Sequence, residues 1–112
     1  METPHIGPLA VTETTFQSNV LESQRPVLVD FSAEWCVPCR VIAPVIEALA
    51  TDYRGRLTVA TIDIDANPEL AERYGVRSIP TVMLVADGEI RRTFVGARPA
   101  QEYRAGIEAL LH

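Results

Sequence analysis

The sequence predicts an α/β protein in which helices flank one central mixed β-sheet. Residues 26–31 form a nearly continuous apolar run with β-branched side chains, which is typical of a strand covered on both faces. Residues 80–85 and 89–95 are two further strand-like runs joined by an Asp-Gly turn, which indicates an antiparallel hairpin. Because helical crossovers join the earlier strands in parallel, the hairpin makes the sheet mixed.

The predicted order of elements is β-α-β-α-β-α-β-β-α. After an irregular lead over residues 1–8, residues 9–11 add a short strand. Thr12 is then placed to cap a helix over residues 13–22. The apolar side chains of this helix recur at helical spacing: Phe16, Val20 and Leu21.

A long helix is predicted from Cys39 onward, and Pro44 should kink it. The apolar stripe of this helix repeats every four residues: Val41, Val45, Leu49 and Tyr53, with Ile42 and Ile46 beside them. Together these residues give the helix a broad apolar stripe.

The second half of the chain continues the alternation of strands and helices. Residues 57–64 are strand-like, and Asn67 and Pro68 open a short helix with a capping side chain and a proline in its first turn. Gly75 is placed to end that helix, and Pro99 begins the last one. The last helix carries one apolar face for docking on the sheet: Tyr103, Ile107, Leu110 and Leu111.

Composition limits the classes of function. With 112 residues, 47% of them hydrophobic, the chain suits a single domain spanning residues 1–112. A net charge of -5 argues against nucleic acid or an anionic membrane as partner. All ten basic residues are arginine, so lysine Schiff-base chemistry is excluded. His5 and His112 lie near the chain ends, where they are poorly placed as general bases or metal ligands.

The start of the chain bears on its location. Residues 1–10 lack the basic and apolar regions of a secretory signal, and no run approaches the roughly 18 apolar residues of a membrane span. We expect a soluble, cytoplasmic monomer.

Two cysteines carry the chemistry. Cys36 and Cys39 flank Val37-Pro38 where the second strand meets the long helix, at the carboxyl end of a parallel strand. At the helix N-terminus, unpaired backbone N-H groups would stabilise a Cys36 thiolate, which makes it the nucleophile. Cys39 lies about one turn further on and can resolve a mixed disulfide on Cys36. Pro38 fits the first turn, where a missing N-H costs nothing.

Three other interpretations of the cysteine pair stay open from spacing alone. A structural disulfide would close a very short loop and stabilise little. A zinc site would need two more ligands, which this chain offers only as terminal histidines. Inert buried thiols are the third, although core packing does not require cysteines at a strand-helix junction.

Asp30 is the one charged residue inside the buried strand of residues 26–31. Burial would favour its neutral form and raise its pKa. We interpret Asp30 as the group that accepts the Cys39 proton when that thiol attacks. The alternative is a solvated carboxylate at the edge of the sheet.

Trp35 and Pro80 are candidate contacts for a partner. Trp35 directly precedes the nucleophile and could shield it and offer a flat contact surface; ordinary core packing is the alternative. Pro80 begins a strand after Ile79, so the Ile79 backbone could pair with an extended substrate segment; a plain turn proline is the alternative.

Taken together, these residues resemble the thioredoxin family, and the likeness extends from Phe16 to the last helix. The matching stretches are Val29-Asp30-Phe31, Ala33-Glu34-Trp35-Cys36 with Pro38-Cys39, Ile42-Ala43-Pro44, Leu57-Thr58-Val59-Ala60, Tyr74-Gly75-Val76-Arg77, Ile79-Pro80-Thr81, Asp87-Gly88 and Val95-Gly96. The resemblance implies a thioredoxin fold and a thiol-disulfide oxidoreductase that reduces protein disulfides and supports cell redox homeostasis.

The resemblance also implies roles for individual residues. Cys36 is the implied nucleophile, Cys39 the resolving thiol, Asp30 a buried proton carrier and Pro80 a cis proline facing the disulfide. The implied substrate contacts are Trp35, Val37, Pro38, Ile79, Pro80, Val95 and Gly96. No bound cofactor or metal is implied beyond the redox-active disulfide. The implied partners are an NADPH-dependent flavoprotein thioredoxin reductase and disulfide-containing target proteins.

Four positions depart from the usual family pattern. Val37 replaces a glycine between the cysteines, Ser32 stands where tryptophan is common, and Ser78 stands where glycine often lies. Thr61 replaces a lysine near the buried aspartate, so we expect a higher pKa at Asp30 than in lysine-bearing relatives.

Two other functions compete with a disulfide reductase. A binding module would carry the dithiol without turnover, but it has no physical need for a buried carboxylate beside the thiols. A disulfide oxidant or isomerase would call for an exported chain or a more oxidising dipeptide between the cysteines.

Overall fold

The computed structural model describes residues 7–112 and shows a five-stranded sheet with helices on both faces. His5 and most of the predicted lead lie outside the described residues. The strands are β1 (Leu9–Ala10), β2 (Val27–Ser32), β3 (Thr58–Asp63), β4 (Thr81–Ala86) and β5 (Glu89–Val95). The α-helices are α1 (Val37–Asp52), α2 (Pro68–Arg73) and α3 (Ala100–Leu111), and a π-helical turn covers Gln17–Leu21.

The strands run in the spatial order β1-β3-β2-β4-β5. β1, β3 and β2 are parallel, while β4 is antiparallel to both β2 and β5. The mixed sheet is therefore confirmed. The Asp-Gly hairpin is confirmed as well, because Asp87 and Gly88 both adopt the left-handed backbone conformation that joins β4 to β5.

β2 is the central strand, and its first five residues are all buried. Side chains alternate between the two faces of the sheet. Leu28 packs in the core formed with α1 and α3, and Val27, Val29 and Phe31 pack in the core on the other face. Asp30 and Ser32 follow Leu28 at intervals of two, so they point toward α1.

The helix predicted over residues 13–22 is shorter than expected, and that prediction is wrong in length and type. The Phe16 N-H donates to the Thr12 carbonyl, as in an α-helix. The chain then continues as the π-helical turn and not as a regular α-helix. Thr12 does not cap it, because its hydroxyl bonds to the Thr14 and Thr15 hydroxyls. Such local side-chain bonds compete with helix formation. The predicted apolar face is nevertheless buried at Phe16 and Val20.

The apolar stripe predicted on α1 is only partly correct. Ile42, Ile46 and Leu49 are buried against the sheet, whereas Val41 is 67% exposed. A strict four-residue repeat drifts by about 40° per step around a helix of 3.6 residues per turn. Val41 and Tyr53, three steps apart, therefore cannot both face the core, and Tyr53 is the buried one.

The N-terminus of α2 is organised differently from the prediction. Asn67 precedes the helix, but its side chain makes no capping bond to α2. Its Nδ2 donates instead to the carbonyl of Asp63, four residues earlier, and its Oδ1 accepts the N-H of Glu13 from a distant part of the chain. Gly75 follows the end of α2 in the left-handed conformation, as predicted for a terminating glycine.

Within residues 7–112, no helix is long and apolar enough to cross a membrane.

Candidate active site

The two cysteines are joined by a disulfide at the N-terminus of α1. Their Cα atoms lie 5.3 Å apart. Cys36 is the N-cap residue, and its Sγ accepts a hydrogen bond of 3.2 Å from the backbone N-H of Cys39. Pro38 occupies the first turn of the helix, where its missing N-H removes no helical bond. Both cysteines are buried to about the same degree.

The loop before β4 contacts the disulfide. The carbonyl oxygen of Ile79 lies 3.6 Å from the Sγ of Cys36, and Ile79 packs against the cluster that contains both cysteines. The Ile79–Pro80 peptide bond is cis, as the resemblance implies. The end of β5 adjoins this loop, because the Gly96 N-H donates to the Pro80 carbonyl at 2.8 Å.

Two exposed apolar side chains flank Cys36 in the chain, and a third lies at the end of β5. Trp35 is 64% exposed, Val37 59% and Val95 53%, so core packing is not the role of Trp35. Val41 lies one turn beyond Val37 on α1 and is also exposed. We call these four residues the front surface: Trp35, Val37, Val41 and Val95. Such exposed apolar groups are typical of a contact site for another molecule.

Cys39 also lines a pocket of about 340 Å³, which we call the Asp30 slot. The sheet contributes the pairs Asp30 with Thr61 and Ser32 with Asp63, which are adjacent in the parallel register of β2 and β3. From α1, Cys39 lines the same slot. Its other charged lining groups are Glu34, Arg40 and Glu47. The slot therefore places Asp30 and Cys39 around one space.

Asp30 is buried in this slot, with only 4% of its surface exposed. Its Oδ1 has no hydrogen-bond partner among the described residues. Desolvation by burial raises the pKa of its carboxyl from 3.8 to about 7. The predicted rise is confirmed, and the alternative of a solvated carboxylate at the edge of the sheet is wrong, because β2 is central. A group with a pKa near 7 can both take up and release a proton under neutral conditions.

Two of the four unusual residues lie in the slot. Ser32 and Thr61 both line it, and Thr61 is the cross-strand neighbour of Asp30. Neither carries a positive charge that would lower the pKa of the carboxyl. Val37 belongs to the front surface, and Ser78 is exposed in the loop before Pro80, where its carbonyl accepts a hydrogen bond from the Thr81 hydroxyl.

One residue at the site, Asp65, could not be identified from its own place in the sequence. The indole Nε1 of Trp35 donates a hydrogen bond of 2.7 Å to Asp65, in the turn that follows β3. The only sequence signal was that β2 and β3 are parallel, so the segments after their carboxyl ends meet at one edge of the sheet. No group of three or more metal-binding side chains lies together in the part of the chain that the structure describes.

A Cys-x-x-Cys disulfide at the start of a helix, at the carboxyl end of a parallel strand, defines a thiol-disulfide oxidoreductase. The sequence profile of the thioredoxin family matches residues 7–109. The chain belongs to the thioredoxin family.

Individual relatives agree with the family match. The chain is 46% identical to a thioredoxin of Pseudomonas aeruginosa over 88% of this chain and 92% of the relative. It is 51% identical to thioredoxin 1 of Synechococcus elongatus, over 80% of this chain and 84% of the relative. A thioredoxin of Streptomyces clavuligerus is 52% identical, over 80% and 82% respectively. The protein is accordingly a protein-disulfide oxidoreductase with a redox-active disulfide.

Proposed function

We propose that the protein reduces disulfides in other proteins by two successive exchange steps at Cys36 and Cys39. In the first step the Cys36 thiolate attacks one sulfur of the target disulfide, forms a mixed disulfide and releases a target thiolate. In the second, the Cys39 thiolate attacks the Cys36 sulfur and releases the second target thiolate. The target gains two electrons, and the Cys36–Cys39 pair becomes the disulfide seen in the structure.

The position of the Cys36 sulfur carries this assignment of roles. The backbone N-H of Cys39 points at it from 3.2 Å, and the N-terminal end of α1 provides a positive partial charge. Both effects favour the thiolate over the thiol at Cys36. Cys39 lies inside the first turn of the helix and lines the slot, and none of the described residues donates a hydrogen bond to its sulfur.

Cys39 therefore needs a base, and we propose Asp30 for that role. The two residues line the same slot, and the pKa of Asp30 near 7 allows it to take the Cys39 proton during the resolving step. When the disulfide is reduced again, the same proton can return to Cys39. Asp30 thus acts through the slot and does not touch the target protein.

The front surface is the proposed docking site for targets. Trp35, Val37 and Val95 offer exposed apolar area, and Pro38 lies exposed beside them. The Ile79 backbone, next to the Cys36 sulfur, is placed to pair with an extended target segment. Pro80 and Gly96 form the remaining wall of this site and are joined by a backbone hydrogen bond.

We further propose a setting for the activity. A dithiol that reduces other proteins must itself be kept reduced, which fits the cytoplasm, where thiols remain reduced. The proposed electron source is an NADPH-dependent thioredoxin reductase, so the chain needs no bound cofactor of its own. Residues 1–112 would act as one domain and as a monomer, because targets need access to the front surface.

The test is turnover of insulin disulfides with NADPH and a thioredoxin reductase. We expect Cys36→Ser and Cys39→Ser to lose more than about 10³-fold in turnover, as when a covalent nucleophile is removed. Only Cys39→Ser should accumulate a mixed disulfide with its target, detectable on a non-reducing gel. An inactive wild type that still exchanges with glutathione would favour the binding module or another reductant. A trapped complex with Cys36→Ser would reverse the two roles.

A further inference from the structure

The side chain of Trp35 is held by a single hydrogen bond. Its indole donates to Asp65 Oδ2 at 2.7 Å, while 64% of its surface is exposed. Packing alone therefore restrains the ring weakly. Because Asp65 lies in the short turn between β3 and α2, the orientation of the indole depends on how that turn is held.

Asn67 holds this turn together. It is one of the few buried polar residues, with 6% of its surface exposed. Its side-chain Nδ2 donates to the Asp63 carbonyl at 3.1 Å, and its backbone N-H donates to the same oxygen at 2.9 Å. The Asp65 N-H donates to the Asp63 carboxylate at 2.9 Å. The turn that carries the Trp35 acceptor is thus closed by bonds that converge on Asp63.

Glu13 ties the same turn to a distant part of the chain. Its backbone N-H donates to the Asn67 Oδ1 at 3.0 Å, and its carboxylate accepts the Glu69 N-H at 2.9 Å. The second contact places a negative charge at the N-terminus of α2, where free N-H groups favour it. Glu13 lies in the irregular turn before the π-helical turn, more than 50 residues from its partners.

We propose that Asn67 and Glu13 are positioning residues for Trp35. They act through the turn that carries Asp65 and fix the orientation in which the indole is presented to a protein target. The proposal deepens the proposed function, because it takes Trp35 as a docking contact. Under this proposal, the segment before β2 influences the docking of targets. The influence passes through the continuous set of hydrogen bonds that links Glu13, by way of Asn67 and Asp63, to the turn that holds Asp65.

A purely stabilising role for these contacts makes a different prediction. Loss of stability would lower the melting temperature but leave the folded indole and the affinity for targets unchanged. A positioning role alters the environment of Trp35 in the folded protein and raises KM for a protein disulfide. It leaves kcat and the reaction with a small disulfide unchanged, since a small disulfide does not need the front surface.

The experiment uses Trp35 as its own probe, because it is the only tryptophan in the chain. We compare Asn67→Ala, Asp65→Ala and the double variant by acrylamide quenching of the indole and by KM for insulin. Asn67→Ala should raise KM about 5-fold, the equivalent of one net hydrogen bond, with increased quenching. In the Asp65→Ala background, Asn67→Ala should have no further effect on either quantity, because both act through one contact.

Glu13 supplies a variant that keeps the buried Asn67 intact. Glu13→Ala should raise KM about 2-fold, since a capping contact contributes less than a buried bond, and Glu13→Gln should restore it by keeping an acceptor oxygen. Glu22→Ala is the matched control, an exposed glutamate in the same segment whose carboxylate bonds to Gln17 and to no other described residue. It should change nothing.

The outcomes separate this proposal from the proposed function. If quenching and KM in Asn67→Ala and Glu13→Ala equal those of the wild type, or if the Asn67 and Asp65 effects simply add, the positioning role is wrong. If the wild type fails to reduce insulin, the proposed function is wrong, and quenching alone still tests the positioning of Trp35.

Discussion

The two sides of the disulfide have opposite characters. On the front surface, Trp35, Val37, Val41 and Val95 are apolar and exposed to solvent. In the Asp30 slot, the carboxyl of Asp30 is buried. Each side inverts the usual distribution, in which apolar groups are buried and carboxylates are solvated.

The two sides serve two different tasks, binding of the target and transfer of a proton, and both tasks are needed at one disulfide. The front surface can bury apolar area against a target, which favours association with many partners through a non-directional force. The slot keeps a proton-accepting group close to Cys39 and away from bulk solvent, where its pKa would be ordinary. Each inversion has a cost in stability or solubility that can be measured.

The largest expected effect comes from removing the buried acid. In the wild type the folded state holds the Asp30 proton up to about pH 7, whereas the unfolded state releases it near pH 3.8. The free energy of unfolding therefore falls as the pH rises through this window and levels off above it. The free energy of unfolding of Asp30→Asn minus that of the wild type should therefore be roughly 4 kcal/mol larger at pH 8 than at pH 4. Urea unfolding at both pH values measures this.

The same variant tests the role of the slot in catalysis. If Asp30 accepts the Cys39 proton, Asp30→Asn should slow resolution of a mixed disulfide on the order of 10²-fold at neutral pH. Rapid mixing with a preformed mixed disulfide isolates that step. An unchanged rate and pH profile would leave Asp30 as a buried residue without a role in proton transfer.

A smaller effect is expected from introducing a positive charge into the slot. Thr61 is the cross-strand neighbour of Asp30, so Thr61→Lys would bring an ammonium group near the carboxyl and lower its pKa by about one unit. NMR titration of the Asp30 carboxyl measures the shift, and Thr61→Gln is the neutral control of similar length. Equal pKa values in the wild type and in Thr61→Lys would mean that the slot does not bring these two side chains together.

The smallest expected effect lies on the front surface. Val41→Ser should raise KM for insulin about 2-fold with kcat unchanged, because it removes part of the apolar area that a target would cover. Ile90→Ser is the matched control, since Ile90 is also exposed but pairs with Val85 at the far end of the β4–β5 hairpin. A similar change in KM for both variants would indicate that the front surface does not extend along α1 to Val41.

Local signals account for the elements that could be predicted. The Asp87-Gly88 turn, the buried run of β2 and the start of α1 beside Cys36 each follow from a few adjacent residues. The length of the helix predicted over residues 13–22 could not be obtained from adjacent residues, because competing bonds among threonine hydroxyls shorten it. The exposure of Val41 likewise depends on the angle at which α1 meets the sheet, which no short stretch of sequence specifies.

The sequence by itself determined the chemistry of this protein: a cysteine pair at a strand-helix junction and a carboxyl within a strand that has to be buried. Both follow from short-range rules, namely backbone geometry at a helix N-terminus and the burial of continuous apolar strands. Only the tertiary structure decided that Asp65 holds Trp35, that Asn67 bonds to Glu13, and that Asp30 and Cys39 share one slot. The first two contacts join distant parts of the chain, and the shared slot depends on how α1 packs against the sheet, so none of them follows from adjacent residues.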